Sequence, residues 1–179
     1  MADEKSSIEW TPDLSVGIEV IDEDHKTFFV VADLMECAIR DTPEGMEVIL
    51  KSALMILLEY VDGHFLREER AMEAAGYPGY EEHRALHDAF KATVNQFVDD
   101  YDKIINPEEK RATTLTLAKN VYKWIVYHIV NVDQAYKGYV MNEHVDSRPL
   151  AFLSQEASGD FGEDDDFDLM NMIPKEDQP

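Results

Sequence analysis

The stretch "HFLREE", His64 to Glu69, sets a histidine and a glutamate four residues apart in a segment that otherwise repeats apolar residues at helical spacing. Four residues advance a helix by about 400°, only some 40° past a full turn, so His64 and Glu68 share one face. Val61, three residues back, and Leu57, four further, lie on that same face. The polar pair therefore points into a core, and the rest of the chain must say what it does there.

Working outward, Thr42 is an N-cap and Pro43 the first helical residue of the segment that holds the pair, which runs to about Ala75 before "GYPGY" ends it. Upstream, Asp22 reads as the N-cap of a helix to about Arg40, with Phe28, Phe29, Val31, Ala32, Met35 and Ile39 on its apolar stripe. Downstream, a third helix is expected from about Glu81 to Lys103, carrying Leu86, Phe90, Val94 and Phe97. Asn106, Pro107 and Glu109 launch a fourth, expected to continue to about His144 with Leu117, Val121, Trp124, Ile125, His128, Val132 and Tyr136 on one stripe.

Four long helices with short connections and no sustained period-two alternation predict an all-α fold, an up-and-down antiparallel four-helix bundle over residues 22–146. Residues 1–21, interrupted by Pro12 and Gly17, read as an extended N-terminal arm that Trp10 packs onto the body. Residues 147–179 read as an acidic, disordered C-terminal tail, with eight acidic residues against one lysine from Ser158 onward.

Composition excludes several functions. Acidic residues outnumber basic ones 38 to 16 over 179 residues, a net charge of −22. Such a surface repels nucleic-acid phosphates and anionic lipids, and no basic patch offsets it. The single cysteine, Cys37, rules out an intramolecular disulfide and any multi-thiolate metal site. No run approaches the roughly 18 apolar residues of a membrane span, and the N-terminus lacks an apolar leader, so a cytoplasmic location is expected.

Six histidines occur, His25, His64, His83, His87, His128 and His144, and the first five lie on the predicted helices. His83 and His87 share a face by the same spacing as His64 and Glu68. His128 lies on the stripe of Val121, Ile125 and Val132, but the next carboxylate, Asp133, is five residues on and rotated by about 140° in a regular helix. Asp133 must reach round or sit on a local distortion.

A lone histidine on an apolar face is ordinarily a core residue hydrogen-bonded to a carbonyl. Five histidines and two carboxylates spread over four helices are another matter, because each buried unpaired charge costs several kcal/mol. A shared cation, or two, satisfies them together. Imidazole with carboxylate suits iron, zinc, copper or nickel, and seven ligands exceed one tetrahedral zinc site while fitting a dinuclear centre. No E-x-x-H or H-E-x-x-H occurs, so the signatures of ferritin-like oxidases and of the common zinc proteases are both absent.

The motifs "IDEDHK", "HFLREE", "YPGYEEHRALH" and "HIVNVD", in this order and at these intervals, resemble the bacterial hemerythrins, oxygen-binding di-iron proteins with a four-helix fold. The resemblance covers about Trp10 to Tyr139. It implies two iron ions with an oxo or hydroxo bridge: His83, His87 and His128 as terminal ligands of one, His25 and His64 of the other, and Glu68 and Asp133 bridging. One iron then has a single open position for dioxygen, in a pocket that excludes water. Candidates for its wall are Phe28, Phe65, Met72, Leu86, Trp124, Ile125, Ile129 and Tyr136, each of which also reads as ordinary core. The residue before the first ligand, often Gln in the family, is Asp24 here and is expected to point outward, and Glu69 is expected to be solvated.

The function so implied is reversible dioxygen binding, for storage, delivery or scavenging, by a protein that is not an enzyme. The alternative is an oxygen- or redox-sensing regulator that signals to a protein partner through the tail, where "FDLMNMIP" is an apolar island among acids.

Overall fold

The computed structural model describes residues 10–38 and 40–159. Ile39, the residues before Trp10, and the acidic run from residue 160 with its Phe167–Pro174 island lie outside the described residues. Four helices make the bundle: α1 (Glu19–Ala38), α2 (Pro43–Ala74), α3 (Tyr80–Tyr101) and α4 (Pro107–Asn131). Each packs on the next in sequence, and α1 closes the ring on α4. No β-strand occurs among the described residues, and no helix there is long and apolar enough to cross a membrane.

Local chemistry sets the ends. The Thr42 hydroxyl accepts from the Gly45 N–H at 3.2 Å, with Pro43 opening α2. Asn106 Oδ1 accepts from the Glu108 and Glu109 N–H groups at 2.9 and 3.2 Å to start α4. Past the end of α2, Gly76 takes φ +63°. There the Tyr77 N–H reaches the Met72 carbonyl at 2.9 Å and the Gly76 N–H reaches that of Glu73 at 3.0 Å, a glycine-terminated helix end.

Three expectations need correction. First, α1 begins at Glu19 and Asp22 is not its N-cap. The Asp22 N–H already bonds the Ile18 carbonyl at 2.9 Å, and its carboxylate reaches back to the Val16 N–H (2.9 Å) and the Ser15 hydroxyl (2.5 Å), tying down the arm. Trp10 does pack onto the body, with ring centroids 6.1 Å from both His25 and Phe29.

Second, α4 ends at Asn131 rather than near His144. Val132 turns to φ −109° and a 3₁₀ turn follows over Asp133–Tyr136. This is the distortion that the five-residue step required: tightening the chain after His128 brings Asp133 back to the inner face.

Third, residues 147–158 are not a disordered tail. Helix α5 (Leu150–Ser158) lies on α2, with Leu153 fully buried. Gly63 allows the approach, because a Cβ there would lie 2.6 Å from the Leu150 carbonyl oxygen. The acidic composition of residues 147–179 hid a short apolar segment with a place to dock.

The apolar core falls into two clusters. One contains Phe28, Met35, Leu50, Leu57, Phe65, Phe90, Val121 and Ile129, and the other Val16, Ile18, Ile21, Met72, Tyr136 and Val140. Each such large side chain contributes about 1.5–3 kcal/mol on burial. The clusters meet around a band of buried histidines and carboxylates, which they hold in place from both ends.

Candidate metal centre

The band is supplied by His25 on α1, His64 and Glu68 on α2, His83 and His87 on α3, His128 on α4 and Asp133 in the 3₁₀ turn, none more than 3% exposed. The structure brings together all seven residues singled out as ligands.

The Nε2 atoms of His83, His87 and His128 form a triangle with sides of 3.0, 3.1 and 3.1 Å. Metal–nitrogen bonds of about 2.1 Å at right angles would put such atoms about 3.0 Å apart, and tetrahedral angles would put them about 3.4 Å apart. The triangle thus suits three neighbouring positions of an octahedral ion better than a tetrahedral one. Two overlapping sets of ligand atoms lie close enough to hold a cation: Glu68, His83, His87 and His128, and His25, His64 and Glu68.

Glu68 belongs to both sets. Its Oε2 lies 3.4 Å from His87 Nε2, 3.5 Å from His83 Nε2 and 3.6 Å from His64 Nε2, while Oε1 lies 3.7 Å from His25 Nε2. Asp133 also faces both ways, with Oδ1 at 3.1 Å from His128 Nε2 and Oδ2 at 3.3 Å from His25 Nε2.

His25 Nε2, Glu68 Oε2 and both Asp133 oxygens are buried with no hydrogen-bond partner. Orphaned buried polar atoms are rare because each forfeits its hydration, and four converging on one spot fit a cation between them. Without a cation the charges fall back on one another. Burial opposes an imidazolium at His25, but the Asp133 and Glu68 carboxylates outweigh it and raise its pKa to about 10. Burial also opposes both carboxylates, yet the surrounding histidines hold Glu68 and Asp133 well below the ordinary range.

The outer nitrogens reveal three residues whose roles the sequence hid. Asp24 does not point outward: it is 7% exposed, and its Oδ2 lies 3.2 Å from His64 Nδ1 and binds the Arg67 guanidinium. Glu69 is not a solvated neighbour: its Oε1 lies 2.9 Å from His87 Nδ1. A carboxylate on the outer nitrogen fixes ring orientation and raises the basicity of the inner one. Adjacency to His25 and Glu68 was the available signal, but helix phase alone sends both residues away from the ligand face.

The wall candidates divide. Phe28, Phe65, Trp124, Ile125 and Ile129 line a cavity of about 10 Å³ beside His25, His64, His128 and Asp133, at the lower limit of the room a single water needs. Phe65 stacks on His87 with centroids 3.6 Å apart and Trp124 on His128 at 4.3 Å. Met72 and Tyr136 belong to the other cluster, and the Tyr136 hydroxyl donates to Glu68 Oε1 at 2.6 Å. Leu86 is 40% exposed and lines an outer groove between α3 and α4, because its position on α3 turns it away from the ligand face.

This geometry agrees with what the sequence is similar to. The family described as the hemerythrin HHE cation binding domain matches residues 16–140. The bacteriohemerythrin of Pseudomonas paraeruginosa is 28% identical over 158 residues, 86% of this chain and 97% of that protein. That of Stenotrophomonas maltophilia is 27% identical over 131 residues, covering 73% and 80%. Hemerythrin subunit 1 of Golfingia vulgaris is 30% identical over 131 residues, covering 73% and 91%. A family match over most of the chain, together with a band of histidines and carboxylates able to hold cations, places the chain in the hemerythrin family.

Proposed function

We propose that the chain binds dioxygen reversibly at two irons held by His25, His64, Glu68, His83, His87, His128 and Asp133. The observation that carries this reading is the sharing of Glu68 by two ligand sets, with Asp133 presenting one oxygen to each side. Two ferrous ions, when bound, supply the two electrons that capture dioxygen and recover them on its release.

The chain's own contribution is placement and exclusion. His83, His87 and His128 would give three nitrogens to a metal on one side, and His25 and His64 would give two on the other, so that the second side has one protein donor fewer. Phe28, Phe65, Trp124, Ile125 and Ile129 close the adjoining cavity with apolar surface and keep out the water and protons that would make capture irreversible. The Tyr136 hydroxyl donates to Glu68 Oε1 and helps to orient that carboxylate, and burial together with the Glu68 and Asp133 carboxylates raises the Tyr136 pKa well above the ordinary value, so it stays a donor.

The test is oxygen uptake by protein loaded with ferrous iron under argon and then exposed to dioxygen. Uptake of one dioxygen per two irons, recovered on sparging, is expected. Uptake that continues as turnover, or that sparging cannot reverse, contradicts the proposal.

A further inference from the structure

Behind His64, away from the ligand band, lies a buried ion pair that the seven ligands do not need. Arg67 is 1% exposed, and its guanidinium binds Asp24 through Nη1, the Asp146 carbonyl through Nε at 2.8 Å and the Arg148 carbonyl through Nη2. Asp24 in turn holds His64 Nδ1. A continuous chain of contacts thus runs from the backbone at 146–148, through Arg67 and Asp24, to a proposed ligand.

The carbonyls stay in place because α5 is anchored. Leu153 is buried, Leu150 sits against Gly63 one residue before His64, and Glu156 pairs with Arg70 and with Arg148, the latter at 2.8 Å. Arg148 also grips Asp146 at 2.6 Å. Lifting α5 would leave Arg67 two acceptors short in a space where charge is poorly solvated, and Asp24 would follow it. Among the described residues nothing comparable touches the other side, where His87 takes its outer partner, Glu69, from α2 itself.

We propose that residues 146–158 form a latch that, through Arg67 and Asp24, sets how firmly the metal on the His25 and His64 side is held, without acting on the His83, His87 and His128 side. Arg67 is a positioning residue, not a ligand. The inference rests on the di-iron reading above.

The experiment is a chelator chase of the full-length, ferrous-loaded chain under argon, following iron per chain with time. Two variants act on the latch without touching a ligand. Gly63→Leu places a side chain where Leu150 and Ser154 lie, while replacing a poor helix former by a good one, so α2 itself is not weakened. Arg67→Lys keeps the charge but loses the planar fork that serves three acceptors at once.

Loss of an outer-shell partner weakens metal affinity by about 10–100-fold. The expected result is therefore two-phase release, with one iron leaving about 10–100-fold faster than from the unaltered chain and the second at the unaltered rate. Release of both irons at the original rate overturns the latch, and so does equal acceleration of both, which is what general loosening of the fold produces. The unaltered chain separates the two claims: fewer than two irons per chain defeats the di-iron reading, whereas two irons with uniform release from the variants defeats the latch alone.

Discussion

The Tyr136 hydroxyl donates a 2.6 Å hydrogen bond to Glu68 Oε1, the carboxylate shared by both ligand sets. The bond joins the 3₁₀ turn to α2, so one residue of an irregular segment orients the acid at the centre of the site. Tyr136→Phe leaves Glu68 Oε1 buried without its donor. A loss of about 1–3 kcal/mol in stability is expected, with iron affinity reduced about 10–100-fold. Thermal unfolding and chelator competition measure the two; an unchanged affinity would leave the bond only a packing role.

Glu69 holds His87 from outside at 2.9 Å, with its side chain largely shielded from solvent. Glu69→Ala is expected to weaken metal binding on the His83, His87 and His128 side by about 10–100-fold while the helical content stays intact. Glu69→Gln, which still accepts from His87 Nδ1, should recover part of that loss. Equal behaviour of the two variants in a metal titration would count against this role.

Metal-free protein should show a pH dependence that metal removes. Without metal, His25 has a folded pKa of about 10 because the Asp133 and Glu68 carboxylates outweigh its burial. Unfolded, it titrates at about 6.5. The folded state thus binds the proton more tightly, and the associated stability is full below about pH 6.5 and is lost as pH rises toward 10. The melting temperature of the metal-free chain is expected to fall between pH 7 and 10. The iron-loaded chain, where neutral His25 is proposed to serve as a ligand, should lack this fall. Parallel pH profiles of the two forms would refute the assignment.

Phe65 stacks on His87 and lines the small cavity. Phe65→Ala is expected to cost about 3–5 kcal/mol, and by admitting water to shorten the life of the oxygenated form. Phe65→Leu, which keeps an apolar wall, should change that lifetime less. Oxidation followed optically in air separates the two variants, and identical lifetimes would show that the wall does not exclude water.

The sequence exposed what helix periodicity governs. His64 with Glu68, and His83 with His87, were readable as facing pairs because a four-residue step holds in any regular helix. Thr42 and Asn106 marked their helix starts because capping is local chemistry. Asp133 resisted because its placement depends on the end of α4, where the backbone leaves the period on which the reading relied. Asp24, Arg67 and Glu69 resisted for a different reason. Each is a charged residue whose burial is offset by a partner 18 to 81 positions away, and no spacing rule within one helix reports such a partner. Helix α5 was masked by its acidic surroundings, since its reason to fold is the space above Gly63 on another helix.

Uptake and release of dioxygen by two irons in this band of residues is checked by the optical spectrum of ferrous-loaded protein recorded under argon, then oxygen, then argon again. An absorption band that appears under oxygen and vanishes when argon returns, through repeated cycles, is the expected result. A band that persists as a ferric product after the first exposure would contradict it.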